Sequence, residues 1–121
     1  MKTLIDRAKA LALELPNVKG FQRVACIISD KRGRILSTGV NDYTCTHPLQ
    51  KRLSEATGFD SERCYVHAEL GACIKLKPHH KAYRATIVRV GRKGDLLPSN
   101  PCPSCAMILK MKNIQVLECT L

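Results

Sequence analysis

The chain has 121 residues, about the length of one domain, and leaves no room for two cores of ordinary size. Hydrophobic residues make up 45 % of it, which supports a packed core and excludes a disordered chain. No apolar run approaches the ~18 residues of a transmembrane helix, and charged residues interrupt the apolar stretch near the start. We therefore expect one cytoplasmic domain over residues 1–121, without a membrane partner, whose net charge of +10 indicates anionic partners or a solvated basic surface.

Hydrophobic periodicity predicts helices and strands in the order α-β-β-α-β-α-β. In chain order these are a helix over 3–15, strands over 21–29 and 34–40, a helix over 66–76, a strand over 83–91, a helix over 103–112 and a strand over 114–119. The connection over 41–63 is polar and long for a compact domain, which is typical of a functional loop, and we expect a short helix near 49–56 within it. A hairpin followed by alternating helices and strands predicts a mixed sheet covered by helices.

Two pairs of residues carry the candidate chemistry. His67 and Glu69 open the second predicted helix, and Cys102 and Cys105 open the third. Two cysteines three residues apart share a helix face and can bind one ion, and a catalytic zinc site combines such ligands with one position for water. The spacing therefore favours His67, Cys102 and Cys105 as zinc ligands. Glu69 points away from the chelating face, where its carboxylate can move a proton on a bound water.

The same cysteines allow two other interpretations. Cys64 stands three residues before His67, so Cys64, His67, Cys102 and Cys105 could form a closed structural zinc site. That site would leave Glu69 without a role. A redox pair of Cys102 and Cys105 would leave both His67 and Glu69 unexplained.

The two motifs together identify a family resemblance. His-Ala-Glu at 67–69 and Pro-Cys-Pro-Ser-Cys at 101–105 match the H-x-E and P-C-x-x-C signature of zinc deaminases. The chain thus resembles the cytidine and deoxycytidylate deaminase superfamily over about residues 21–119. The resemblance implies an α/β fold, a three-layer α-β-α sandwich with a mixed sheet that stops after the fourth predicted strand. The segment 37–41, Ser-Thr-Gly-Val-Asn, looks like the deoxycytidylate branch.

The resemblance implies a zinc-dependent hydrolase that converts a cytosine-type nucleotide to its uracil form and releases ammonia. Zn²⁺ on His67, Cys102 and Cys105 would activate a water, and Glu69 would shuttle its protons to the ring nitrogen and the leaving amine.

Four further residues are candidate substrate contacts. The resemblance assigns contacts with the sugar or the base to Asn41 and to the backbone of Ala68. Ser99 and Pro101 precede the thiolates and would border the pocket. Simpler interpretations also exist, because Asn41 suits a turn after Gly39, and the segment before Cys102 suits a rigid loop.

The positive charge leaves the substrate open between a nucleoside, a nucleotide and a base in single-stranded nucleic acid. Basic side chains without any acidic one fill the stretch between Leu70 and Gly94, which could neutralise a phosphate or a polynucleotide backbone. These residues are Lys75, Lys77, Lys81, Arg84, Arg89, Arg92 and Lys93. Aromatic residues, which stack on single-stranded bases, make up only 4 % of the chain and favour a small nucleotide substrate.

Two alternatives stay open at this point. One is a deaminase of cytosine or adenine in single-stranded DNA, RNA or tRNA, bound through the basic surface. The other is a non-enzymatic, zinc-stabilised nucleic-acid-binding module. The last predicted strand is 114–119, two residues before Leu121, and we expect it to be a sheet edge that a homo-oligomer covers.

Overall fold

The computed structural model describes residues 3–17, 23–46, 65–77, 80–99 and 103–120. Its helices are α1 (Leu4–Leu13), α2 (Ala68–Ile74) and α3 (Pro103–Met111). Its strands are β1 (Arg23–Ser29), β2 (Ile35–Val40), β3 (Asp42–Thr46), β4 (Tyr65–Val66), β5 (Arg84–Val90), β6 (Leu96–Leu97) and β7 (Val116–Cys119). The predicted elements are confirmed in type and order, while β3, β4 and β6 were not predicted. The helix expected near 49–56 lies outside the described residues.

The main sheet is mixed, as predicted. β1 is antiparallel to β2 on one side and to β5 on the other. The far side of β5 carries β7 in parallel and, nearer its C-terminal end, β6 in antiparallel. β3 and β4 form a separate two-stranded ribbon that leads into α2.

Helices cover both faces of this sheet and make the predicted three-layer sandwich. Because side chains alternate along a strand, β1 and β5 each contribute to two cores. On one face α1 packs against the sheet in a cluster of Ala8, Ala12, Ala25, Ile27, Val88 and Val90. On the other face the core includes Cys26, Ile28, Leu70, Cys73, Ala85, Ile87, Ile108 and Leu109, which brings α2 and α3 onto that face. β1 and β5 are therefore buried from both sides.

The turn between β1 and β2 is held by one carboxylate. Asp30 Oδ1 accepts hydrogen bonds from the backbone N–H groups of Arg32 and Arg34 at 2.9 Å each, and Oδ2 pairs with Arg34 Nε at 2.8 Å. The bond from the Arg34 backbone is the main reason that the pKa of Asp30 is lowered. Gly33 completes the turn at a φ of +86°, a conformation that favours glycine.

Gly39 in β2 determines how closely α2 can lie on the sheet. A Cβ at this position would collide with backbone atoms of Ala68, Gly71 and Ala72. Beside this contact, Ser37 Oγ donates to the Ala72 carbonyl. The absence of a side chain at Gly39 therefore lets the start of α2 rest directly on β2, near the end where β2 leaves the sheet.

Two expectations about the surface stay predictions. Among the described strands β7 is paired on one side only, by β5, and Leu117 is 49 % exposed, but nothing shows whether a second copy covers this edge. In the described part of the chain, no helix combines the length and the apolar character needed to cross a membrane. These two expectations are the cytoplasmic location and the homo-oligomer.

We predict that Gly39→Ala is far more costly than another glycine replacement in the same hairpin. The new methyl group would push α2 off the sheet and lower the free energy of unfolding by about 3 kcal/mol, as overpacking does when backbone must move. Gly33→Ala is the control, because its new Cβ would meet no atom within 4 Å. Its only penalty is the positive φ, which should lower the free energy of unfolding by about 1 kcal/mol. Urea denaturation of both variants checks this, and equal losses would contradict it.

Candidate active site

Three side chains of the predicted site meet between α2 and α3. One ligand atom from each of His67, Glu69 and Cys105 lies within 4.8 Å of the other two. His67 Nδ1 and Cys105 Sγ are 3.2 Å apart, although 38 residues separate them in the chain. Glu69 is 5 % exposed, Cys105 is 1 % exposed and His67 is half-buried. The fold therefore brings the two sequence motifs into one buried cluster.

The starts of two helices position these side chains. His67 is the N-cap of α2 with an extended backbone, and its side chain makes no capping hydrogen bond. Its carbonyl accepts the N–H of Gly71 at 2.9 Å, which begins the helix. Glu69 follows in the first turn of α2, and Cys105 is in the first turn of α3. The positive end of the α3 dipole favours a thiolate at Cys105.

Glu69 brings a buried negative charge into an otherwise apolar layer. Burial raises the pKa of the thiols of Cys26 and Cys119, and the charge of Glu69 raises both further. Burial likewise raises the pKa of Cys73 to about 12, partly offset by Lys112. These three cysteines therefore stay protonated; Cys26 and Cys73 are buried, and Cys119 is partly buried.

The described donor set fits a zinc ion. Imidazole nitrogen and cysteine sulfur are preferred zinc ligands, and two such donors on a tetrahedral ion are roughly 3.5 Å apart. The 3.2 Å between His67 Nδ1 and Cys105 Sγ is close to that separation. Cys102 lies outside the described residues, as do Pro101 and Cys64, so the full ligand set and the choice between an open and a closed site stay predictions.

Asn41 directly follows β2, and Ala68 begins the helix that rests on β2. Asn41 Oδ1 accepts the Val24 N–H at 2.9 Å, and the Asn41 N–H donates to the Val24 carbonyl at 3.2 Å. These two bonds fix the side chain of Asn41 at the end of β1. Ala68 is fully buried directly above Gly39. Their roles as substrate contacts remain predictions, although both stand at the same end of the sheet as the cluster.

Ser99 is buried in a hydrogen-bond network behind the site. Its hydroxyl donates to the Ile87 carbonyl at 2.7 Å and accepts the Thr120 N–H at 2.9 Å. The Thr120 hydroxyl lies 2.8 Å from the same oxygen. The hydroxyl of Ser99 therefore ties the segment before α3 to β5 and to the residue that follows β7.

Sequence reasoning did not single out Arg89, which it counted among the basic surface residues. Arg89 is half-buried in β5, and its Nε is buried without a hydrogen-bond partner among the described residues. The alternation of side chains between the two faces of a strand could have identified Arg89 from the sequence. Ala85, Ile87 and Arg89 point to one face, and the first two belong to the core beneath α2 and α3.

Comparisons with known proteins agree with this arrangement. A model of the cytidine and deoxycytidylate deaminase zinc-binding region matches residues 1–119. The structure is similar to two crystal structures of cytidine deaminase from Mycobacterium tuberculosis, one of them a point mutant, with a TM-score of 0.55 and 16 % identity in each case. The matches cover 92 % of this chain and 78 % and 77 % of those chains. A sequence search of curated proteins found no match.

Proposed function

Because this chain belongs to the cytidine and deoxycytidylate deaminase family, a family of zinc-dependent enzymes that hydrolyse a C–N bond, we propose that its substrate is a cytosine-type nucleotide such as CMP or dCMP. The products would be the uracil form of that nucleotide and ammonia. The observation that carries this proposal is the meeting of His67, Glu69 and Cys105 in one buried cluster. A binding module has no need of a buried carboxylate beside a metal site.

In the proposed site His67, Cys102 and Cys105 hold the zinc ion. When bound, Zn²⁺ lowers the pKa of a coordinated water from ~15.7 to ~7 and so makes a nucleophile available at neutral pH. Glu69 lies close enough to the other donors to contact that water, and its position on the first turn of α2 keeps its carboxylate inside the site.

Glu69 then moves two protons. It accepts a proton as the water oxygen bonds to C4 of the cytosine ring, and it passes this proton to the ring nitrogen N3. The second proton of the water goes through the same carboxylate to the exocyclic amine. The C4–N4 bond breaks, ammonia leaves and the C4 carbonyl of uracil forms. A buried general acid–base of this kind contributes roughly 10²- to 10⁴-fold to the rate.

The proposed substrate contacts follow from the positions of the remaining residues. Asn41 would contact the sugar and the backbone of Ala68 would hold the base edge; this is supported by the place of Asn41 directly after β2 and of Ala68 between His67 and Glu69. Pro101 would border the pocket. Because the Ser99 hydroxyl already donates to Ile87, we assign Ser99 the role of holding the loop before Cys102 in place.

A second candidate function is the same reaction on a base in single-stranded nucleic acid. A basic cleft of about 500 Å³ favours it, on the side of the molecule where the β1–β2 turn lies. The cleft is lined by Asp30, Lys31, Arg32, Arg34, Leu36, His80 and Lys81. Within the described part of the chain, Lys31, Arg32 and Lys81 have no acidic partner, since the one ion pair there joins Arg34 to Asp30.

The basic cleft adjoins Asp30, which follows the last residue of β1, whereas Asn41 is bonded to Val24 near the start of that strand. Val24, bonded to Asn41, is six residues from Asp30, which corresponds to about 20 Å of extended strand. A polynucleotide could therefore place one nucleotide in the site and further phosphates in the basic cleft.

Glu69→Gln tests the proton-transfer role. The amide keeps the shape of the side chain but cannot accept the proton, so we expect kcat/KM for dCMP to fall by roughly 10²- to 10⁴-fold while zinc stays bound. Glu14→Gln, an exposed position on the surface, is the matched control and should behave as the wild type. Ammonia release and metal content are measured together. Turnover that survives Glu69→Gln would show that the mechanism is wrong.

Metal analysis of four variants tests the ligand set. We expect about one zinc per chain in the wild type and less than a tenth of that in His67→Ala and Cys105→Ala, because each loses one of three ligands. Cys119→Ala, which removes a core thiol, should retain zinc. Cys64→Ser separates the two kinds of site, since it retains zinc if the site is open and loses zinc if Cys64 closes it. Removal of zinc with a chelator should also lower Tm.

A substrate panel separates the two candidate functions. We expect CMP or dCMP to release ammonia at low substrate concentration, and single-stranded oligonucleotides to be turned over poorly. Oligonucleotide binding should weaken with salt and with the double variant Arg32→Gln/Lys81→Gln in the basic cleft, but not with the exposed control Lys110→Gln. Efficient, salt-sensitive deamination of an oligonucleotide without turnover of either monophosphate would replace the nucleotide proposal with the polynucleotide one.

A further inference from the structure

We propose that Arg89 forms a phosphate subsite beside the deamination centre and thereby selects nucleoside monophosphates over nucleosides. This inference rests on the proposed function and adds the residue that would recognise the substrate class. Three observations support it: the face of β5 on which Arg89 lies, the residues that neighbour Arg89 in the sheet, and the lack of a hydrogen-bond partner for its buried Nε among the described residues.

The pairing of β5 with β1 determines the face. The register runs without interruption from Arg23↔Val90 to Ser29↔Arg84, so side chains alternate regularly along β5. Val88 and Val90 pack beneath α1, whereas Ala85 and Ile87 pack beneath α2 and α3. Arg89 therefore lies on the same face of the sheet as the metal cluster.

The neighbours of Arg89 place it next to the predicted substrate contacts. On one side it pairs with Val24, whose backbone holds Asn41 through two hydrogen bonds. On the other side it pairs with Leu97, two residues before Ser99 in the segment that leads to α3.

Val24, Arg89 and Leu97 form one row across the sheet, and the adjoining row lies beneath the metal cluster. That adjoining row consists of Cys26, Ile87 and Cys119, and the charge of Glu69 raises the pKa of its two thiols. The shift from Ile87 to Arg89 is one side-chain repeat, about 7 Å along the strand. Arg89 therefore stands one repeat further out than the residues under Glu69, towards the end of the sheet where Asn41 lies.

Among the described residues the guanidinium of Arg89 has no hydrogen-bond partner, unlike those of Arg34 and Arg23. Arg34 pairs with Asp30, and the buried Arg23 donates to the Gly91 carbonyl at 2.5 Å. Arg89 has no acidic partner or hydrogen-bond acceptor among the described residues, and its Nε is buried. A partly desolvated cation without acceptors is costly, and a ligand that supplies acceptors would remove that cost.

A phosphate dianion is the ligand group that fits this position best. Its oxygens accept two parallel N–H bonds from one guanidinium, and the charges are opposite. Asn41 and Arg89 are separated by two strand spacings, about 10 Å between backbones, which leaves room for a sugar between them. A nucleotide with its base at the metal cluster and its sugar at Asn41 would therefore carry its 5′-phosphate towards Arg89.

The test compares matched ligands with and without a phosphate. In the zinc-loaded protein, kcat/KM is measured for dCMP and deoxycytidine, and Kd is measured for the products dUMP and deoxyuridine, in wild type, Arg89→Gln and Arg89→Lys. Arg84→Gln is the control, because Arg84 is in the same strand but on the opposite face and at the other end. The Kd measurements do not depend on turnover.

We expect Arg89→Gln to lower kcat/KM for dCMP and to weaken dUMP binding by roughly 10- to 150-fold, the range for hydrogen bonds to a charged group. The ratio of kcat/KM for dCMP to kcat/KM for deoxycytidine should fall towards one, and so should the ratio of the affinities for dUMP and deoxyuridine. Arg89→Lys should restore part of that preference, because it keeps the charge but not the bidentate geometry. Arg84→Gln should leave the preference as in the wild type.

Two results would overturn the inference. One is a wild-type protein that shows no preference for the phosphorylated ligands. The other is an equal loss of affinity for dUMP and deoxyuridine in Arg89→Gln, which would indicate a structural role for Arg89. The proposed function fails separately, if no cytosine compound releases ammonia. In that case a dUMP preference that depends on Arg89 would still support the phosphate subsite.

Discussion

The close contact between α2 and β2 at Gly39 is the constraint on which the site depends. Backbone atoms of Ala68, Gly71 and Ala72 occupy the space that any side chain at Gly39 would need. Since His67 and Glu69 flank Ala68, the same contact sets the depth at which both side chains enter the site. The start of α3 must then meet α2 at that depth for Cys105 to come within 3.2 Å of His67. Metal chemistry at this end of the sheet is thus a consequence of backbone packing.

The layer between the sheet and the two helices combines an apolar core with charged groups at one end. Deeper in the layer, Leu70, Ile87 and Ile108 exclude water. In such surroundings an electrostatic interaction is stronger than in water, and an unsatisfied charge is correspondingly expensive. Glu69 and Arg89 both lie in this layer, and in the functions proposed above each of them would stabilise a bound ligand.

The sequence predicted the main elements because their hydrophobic periods are clear, as in the helix that contains Ala8 and Ala12 and in the strands β1 and β5. It missed β3 and β4, whose polar surroundings show no alternation, and β6, which has only two residues. The spacing of His67 and Glu69 is local and visible in the sequence. Their meeting with Cys105 depends on how two helices pack, so hydrophobic periodicity could not predict it; ligand chemistry and the family resemblance did. Arg89 was missed because counting charges ignores which face of a strand carries them.

The hydrogen bonds of Ser99 bear on when, during synthesis, the structure around the site can be completed. Ser99 is fixed by Thr120, and β5 gains its parallel neighbour only when residues 116–119 are present. A ribosome releases these residues after all the others that build the site. The segment before α3 therefore lacks its bonds to Thr120 until 21 further residues have been made after Ser99. The hydrogen-bond network around Ser99 is therefore complete only after β7 has docked on β5.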